Sequence, residues 1–137
     1  MKTLIDTNVV LDVLMNREPH AAHSTPFMKL CGSSITGCIT TNQTTDIFYL
    51  LCRQGKNEPE AKGIVQKLVE NLTLIDVVAK DVYAAFSIPM DDFEDALLAQ
   101  CAKRAKVDYI VTRNENDFVN SPVPALSPSD FLERFYP

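Results

Sequence analysis

Short apolar, β-branched runs alternate along this chain with longer segments of helical periodicity, and that alternation confines it to an α/β fold on a mainly parallel sheet. Residues 2–5 are an apolar run ending at Asp6; Val9, Val10, Val13 and Leu14 then recur at helical spacing, with Thr7 or Asn8 as N-cap. Asn16-Arg17-Glu18-Pro19 breaks this helix. A second helix, disturbed by Ser24-Thr25-Pro26, spans residues 20–31 and stops at Gly32. The run from Ser34 to Thr40 predicts a strand, followed by a helix capped at Thr41 or Asn42 and ended at Gly55. Further helices are expected over 58–71, over 80–87 and, after Pro89 and the acidic run Asp91–Asp95, on to Lys106, and further strands over 72–78 and 109–112. Pro122, Pro124 and Pro128 punctuate the tail before a last helix, Ser129 to Phe135, that docks through Phe131, Leu132 and Phe135.

A chain of 137 residues fits one domain spanning 1–137. No apolar run approaches the ~18–20 residues needed to cross a bilayer, so no membrane partner is expected. The opening MKTLIDTN lacks the apolar core of a secretory signal. Without an export signal or a CxxC pair, Cys31, Cys38, Cys52 and Cys101 read as small core residues in a reducing, cytoplasmic setting. The net charge of −5 argues against a broad non-specific grip on nucleic acid, yet leaves a phosphodiester substrate open. Lys103, Arg104 and Lys106 read as a solvated helix C-terminus. His20 and His23, without a third partner nearby, read as helix-surface residues rather than zinc ligands.

Asp6, Asp46, Asp95 and Asp117 sit in four separated segments, each beside an apolar run. Like charges at close range resist joint ionisation, so a fold that converges these acids calls for a cation. An oxygen-rich set suits Mg²⁺ or Mn²⁺. In open parallel sheets, sites form outside the carboxyl ends of the strands. Asp6 and the loop after Tyr109–Thr112 occupy such ends, and Asp46 and Asp95 fall early in helices. An acid ending a buried strand is costly unless satisfied, which makes Asp6 the strongest of the four, with a helix cap as its bland alternative. A solvated helix position accounts equally well for Asp46, and turn chemistry for Asp117. Within DDFEDALLAQ, Asp91 and Glu94 fit a capping box, Asp92 and Asp95 share a helical face, and Asp95 lies too deep for capping to explain it.

The chain contains no GxGxxG, GxxxxGKS, GxSxG or CxxC string, which argues against dinucleotide, P-loop, serine-hydrolase and thiol redox chemistry. Asp6-Thr7-Asn8 has the start of a haloacid-dehalogenase-type DxD motif, but Asn8 stands where that mechanism needs its general acid.

The strings LIDTNVVLDVL, TTDIFYLL and DFEDALLAQCAKRAKVDYIVTRNENDF, in this order and spacing, resemble the PIN domain over nearly the whole chain. Within that family they are similar to the bacterial single-domain proteins that include VapC-type toxins of toxin–antitoxin systems. The resemblance implies a three-layer α/β/α sandwich with a mainly parallel central sheet. It also implies an endoribonuclease that hydrolyses RNA phosphodiester bonds with Mg²⁺ or Mn²⁺. On it, the first family acid falls on Asp6, with Asn8 as a supporting polar group. The second, usually Glu, falls on Asp46, whose arm is one methylene shorter and points to contact through a water. The third falls on Asp95, with Asp92 in reserve, and the fourth region on Thr112, Asn114 and Asp117. Arg113 and Lys103 are the candidates to touch substrate phosphates. Metal-activated water needs no side-chain nucleophile, in keeping with the missing Ser and Cys motifs. Kinship further implies an RNA substrate, an antitoxin protein as partner and a homodimer. A second reading, suggested by Asp46 in place of Glu and by the acidic charge, is a catalytically weak PIN scaffold acting as an RNA-binding or protein-interaction module. A phosphatase or a DNA-directed nuclease would use the same metal chemistry.

Overall fold

The computed structural model describes residues 1–137. Five strands form, β1 Lys2–Ile5, β2 Thr36–Thr40, β3 Thr73–Ile75, β4 Tyr109–Val111 and β5 Ala125–Leu126. They pair into one wholly parallel sheet in the order β3-β2-β1-β4-β5. Seven helices flank it: α1 Thr7–Leu14, α2 Ala21–Leu30, α3 Thr41–Arg53, α4 Glu58–Val69, α5 Ala79–Ala85, α6 Phe93–Arg104 and α7 Pro128–Phe135.

Successive strand residues point to opposite faces, and here they divide two cores. Ile5, Ile39 and Val111 join Val9, Phe27, Ile47 and Phe131 from α1, α2, α3 and α7. Leu4, Cys38 and Ile110 join Leu98 and Cys101 of α6 on the other face. All of these except Leu98 are fully buried, and each aliphatic or Phe side chain so buried contributes about 1.5–3 kcal/mol. The three-layer arrangement therefore follows from the period-two pattern of three strands of three to five residues. The buried cysteines pack as core residues, and burial pushes the Cys31 and Cys101 thiols up to about 12.

The differences from expectation have local causes. β5 was not anticipated, because it is two residues long and follows a proline. It forms because β4 needs acceptors on its outer edge: Ile110 N–H donates to Pro124 O at 2.9 Å and Thr112 N–H to Leu126 O at 3.0 Å. A proline that offers only its carbonyl suits an edge position. The α3 cap is Thr40, not Thr41 or Asn42, because Gln43 folds back to accept the Thr40 N–H at 2.7 Å. The expected Asp91–Glu94 box does not form either. α6 starts at Phe93, and Asp92 caps it by accepting the Asp95 N–H at 3.0 Å. Arg104, expected in solvent, pairs at 2.9 Å with the fully buried Asp81 of α5. Burial pushes the Asp81 carboxyl up, but the Arg104 and Val78 hydrogen bonds outweigh it and hold the group below its usual range.

From β1 the chain builds outward through β2 to β3, then returns to the other side of β1 for β4 and β5. β1 and β4 are thus neighbours at the point where strand order reverses, the place where open α/β sheets leave a crevice at their carboxyl ends. Asp6 follows β1 and Thr112 follows β4 at that crevice.

Candidate active site

Asp6 occupies the N-cap position of α1. Its backbone N–H donates to Val111 O at 2.9 Å, continuing the β1–β4 ladder by one bond, and its Oδ2 accepts the Thr112 hydroxyl at 2.8 Å. Thr112 is fully buried and its oxygen also accepts the Asn114 N–H at 3.0 Å. Burial raises the Asp6 carboxyl above its usual range. The Thr112 hydroxyl, the Thr7 N–H and Arg113 oppose that rise, and Asp117 adds to it.

Asp6, Asp46, Glu94 and Asp95 line one cleft, with Thr40, Asn42 and Gln43 on its α3 side. Asp91, Asp92, Asp95 and Asp117 line an adjoining recess, so Asp95 is shared by both. Asp95 carries the largest consequence: burial first, then Asp92, Asp6, Asp117 and Glu94, push its carboxyl up to about 7. Glu94 is raised too, by burial and then by Asp46, Asp92 and Asp6. These acids feel one another, and each disfavours ionisation of the next. A hard divalent cation bound by oxygen donors fits that chemistry. The acids nevertheless stand apart around the cleft, and no three His, Cys, Asp or Glu side chains close on a single point at ligating distance.

The remaining sequence candidates separate by position. Asn8 is half-buried on α1 and lines neither recess. Asp92 is committed to capping α6 yet borders the second recess. Asn114 lines a different hollow, with His20 and His23, whereas Asp117 acts on Asp6 and Asp95. Lys103 does not reach the cleft. It lies in the last turn of α6, eight residues beyond Asp95 and so about 12 Å along the helix. Arg113 stands beside the site, but its Nε is 2.7 Å from Asp12 Oδ2.

Asp12 and Gln43 escaped the sequence reading. Asp12 is fully buried on α1, with Arg17 Nε at 3.0 Å on one oxygen and Arg113 on the other. The contacts are short but not aligned as hydrogen bonds, so the attraction is coulombic. The trio ties α1 to the loop that delivers Thr112 to Asp6. Gln43 is buried, and its Nε2 donates to Ile5 O at 2.8 Å and to Thr7 Oγ1 at 3.1 Å, fixing α3 to the end of β1. The Thr-x-x-Gln spacing of Thr40 and Gln43 was a capping-box signal that would have found it. Glu94, read only as a cap partner, faces the cleft.

The sequence matches the PIN domain family over residues 2–116, most of its length. The chain belongs to the PIN domain family. Solved structures of other members have the same fold at low identity. VapBC-1 from nontypeable Haemophilus influenzae superposes with a TM-score of 0.72 at 12% identity, covering 94% of this chain and 99% of that one. VapBC2 from Rickettsia felis, bound to a DNA fragment from its promoter, gives 0.68 at 17% identity over 93% and 98%. The sarcin-ricin loop cleaving toxin VapC20 from Mycobacterium tuberculosis gives 0.64 at 11% identity over 79% and 86%. A search of curated protein sequences gave no match. In this PIN domain, β5 and α7 lie beyond the matched residues but complete the sheet and the core. No helix is long and apolar enough to cross a membrane.

Proposed function

We propose that this PIN domain is a divalent-metal-dependent endoribonuclease and the toxin of a toxin–antitoxin pair. One observation carries the reading: at the switch point of the sheet, Asp6 after β1, Asp95 of α6 and Asp117 after β4 line two adjoining recesses that share Asp95, and they disfavour one another's ionisation. Mutual repulsion in such a cluster costs stability, and a cation relieves it. Asp6 and Asp95 would hold the ion first, with Asp117 and Asp46 completing the set and Thr112 fixing the Asp6 carboxylate. Mg²⁺ or Mn²⁺, when bound, lowers the pKa of a water and offsets charge on the phosphate. Asp6 and Asp95, fixed on two different elements, would set the position of that ion in the cleft. The fold shared with VapBC complexes, and with a toxin described as cleaving the sarcin-ricin loop, supports an RNA substrate and an antitoxin partner, and a homodimer is proposed on the family resemblance alone. The assay is cleavage of single-stranded RNA with Mn²⁺ by the wild type and by Asp6→Asn. Cleavage that is lost in Asp6→Asn and in EDTA supports the enzyme. Equal rates, or activity in EDTA, would favour the alternative of a PIN scaffold that binds RNA or protein.

A further inference from the structure

Across the loop after β4 from the carboxylate cleft lies a hollow of about 260 Å³ with the opposite chemistry. Its walls include His20 and His23 from the start of α2, Arg113 and Asn114 from the loop, and Ser127 and Ser129 from the start of α7. No carboxylate lines it, although the chain carries a net charge of −5. Each of those six side chains offers an N–H or O–H donor. The Arg113 guanidinium reaches in with Nη1, 3.4 Å from His20 Nε2, while its Nε stays against Asp12. Asp12 answers two guanidiniums, Arg17 and Arg113, so that trio has one positive charge left over. The N-terminus of α7 adds the positive end of its dipole. Two acids stand near this rim, Glu115, which accepts the Ser127 N–H, and Asp130 in the first turn of α7, and neither enters the hollow. A metal does not explain the histidines, which are the only two in the chain and have no third ligand.

We propose that this hollow is a phosphate subsite that takes a phosphodiester of the RNA strand. The identity of the strand rests on the nuclease reading; the affinity for a phosphate does not. Asn114 in the hollow bonds Thr112, and Thr112 bonds Asp6, so subsite and cleft are joined through two residues. A strand lying over that loop would present one phosphate to the donors and a neighbouring one to the acids. An acidic protein thereby gains a local grip on a polyanion that its overall charge repels.

The two imidazoles make the test direct, because every histidine signal in the proton spectrum reports on this hollow. The full chain is titrated in EDTA, at constant ionic strength, first with inorganic phosphate and then with a short single-stranded RNA lacking terminal phosphates. Both probes are expected to shift both histidine signals saturably. In His23→Ala and in Ser129→Ala, both at the rim, binding followed on His20 should weaken about tenfold, the loss of one hydrogen bond to a charged group. Signals that do not saturate, inorganic phosphate binding without RNA binding, or variants that bind like the wild type would each overturn the subsite. Since no metal is present, these results are independent of cleavage. Failure of cleavage with RNA still bound in the hollow would count against the nuclease alone.

Discussion

Replacing Asp95 by Asn should make the metal-free protein more stable at pH 8 while removing a group on which the proposed chemistry depends. The Asp95 carboxyl is pushed from 3.8 up to about 7 in the folded chain, by burial and then by neighbouring acids. The folded state therefore binds a proton more tightly than the unfolded state between those two values. Stability falls as pH rises from about 4 to about 7, and the whole penalty is present above the folded value. The ceiling on that penalty is about 4 kcal/mol. Asp95 is only partly buried, and solvent screening brings this down to ~2 kcal/mol. Asn also forgoes the favourable position of a negative charge in the first turn of α6, worth ~0.3–1 kcal/mol. The Asp92 cap survives, because it uses the Asp95 backbone N–H. The net expectation is a gain of ~1 kcal/mol at pH 8, or a rise in Tm of about 3–6 °C, and no gain at pH 4. Urea and thermal denaturation in EDTA at the two pH values measure it. A loss of stability at pH 8, or the same change at both pH values, would refute the picture of an electrostatically strained cleft.

Three further outcomes are expected. Asp12→Asn should destabilise the fold by ~2–4 kcal/mol in urea denaturation, below the full figure for a broken buried pair because Arg17 and Arg113 keep some access to water. Thr112→Val removes the hydroxyl that holds the Asp6 carboxyl down, so Asp6 should ionise at higher pH and half-maximal Mn²⁺ binding should move to higher pH. An unmoved midpoint would deny that hydroxyl its role. Phe131→Ala, at a fully buried ring that meets Phe27 edge-on at 5.1 Å, should cost ~3–5 kcal/mol. Its unfolding should remain a single transition if residues 1–137 are one domain.

The fold was legible where local pattern and tertiary packing agree. The Leu4/Ile5, Cys38/Ile39 and Ile110/Val111 pairs lie in runs apolar enough to be buried on both faces, and the helices between them carry their own periodicity and stops, Gly32 and Gly55 among them, at φ 85° and 102°. β5 was not legible, since a two-residue run following a proline becomes a strand only when β4 presents an open edge. The helix caps at Thr40 and Asp92 differ from those expected because adjacent polar residues compete for the cap, and only side-chain reach decides. At the site, Asp6 stood out because a buried strand should not end in an unsatisfied charge. Asp12 did not, because its guanidinium partners come from a break in the helix and from the loop after β4, and no local pattern announces such a pair. The pairing of Arg113 with Asp12 was not legible for the same reason. Glu94 was taken for a cap partner because the spacing fits, whereas the one-residue shift of α6 turns it into the cleft.

The central claim is that acids from separate elements act as one cation site, and a Mn²⁺ titration followed by the loss of its free-ion paramagnetic signal tests it most directly. The wild type is predicted to remove Mn²⁺ saturably at pH 8, with binding abolished or weakened at least about tenfold in Asp6→Asn and again in Asp95→Asn. Equal binding by all three proteins, or none by the wild type, would contradict it.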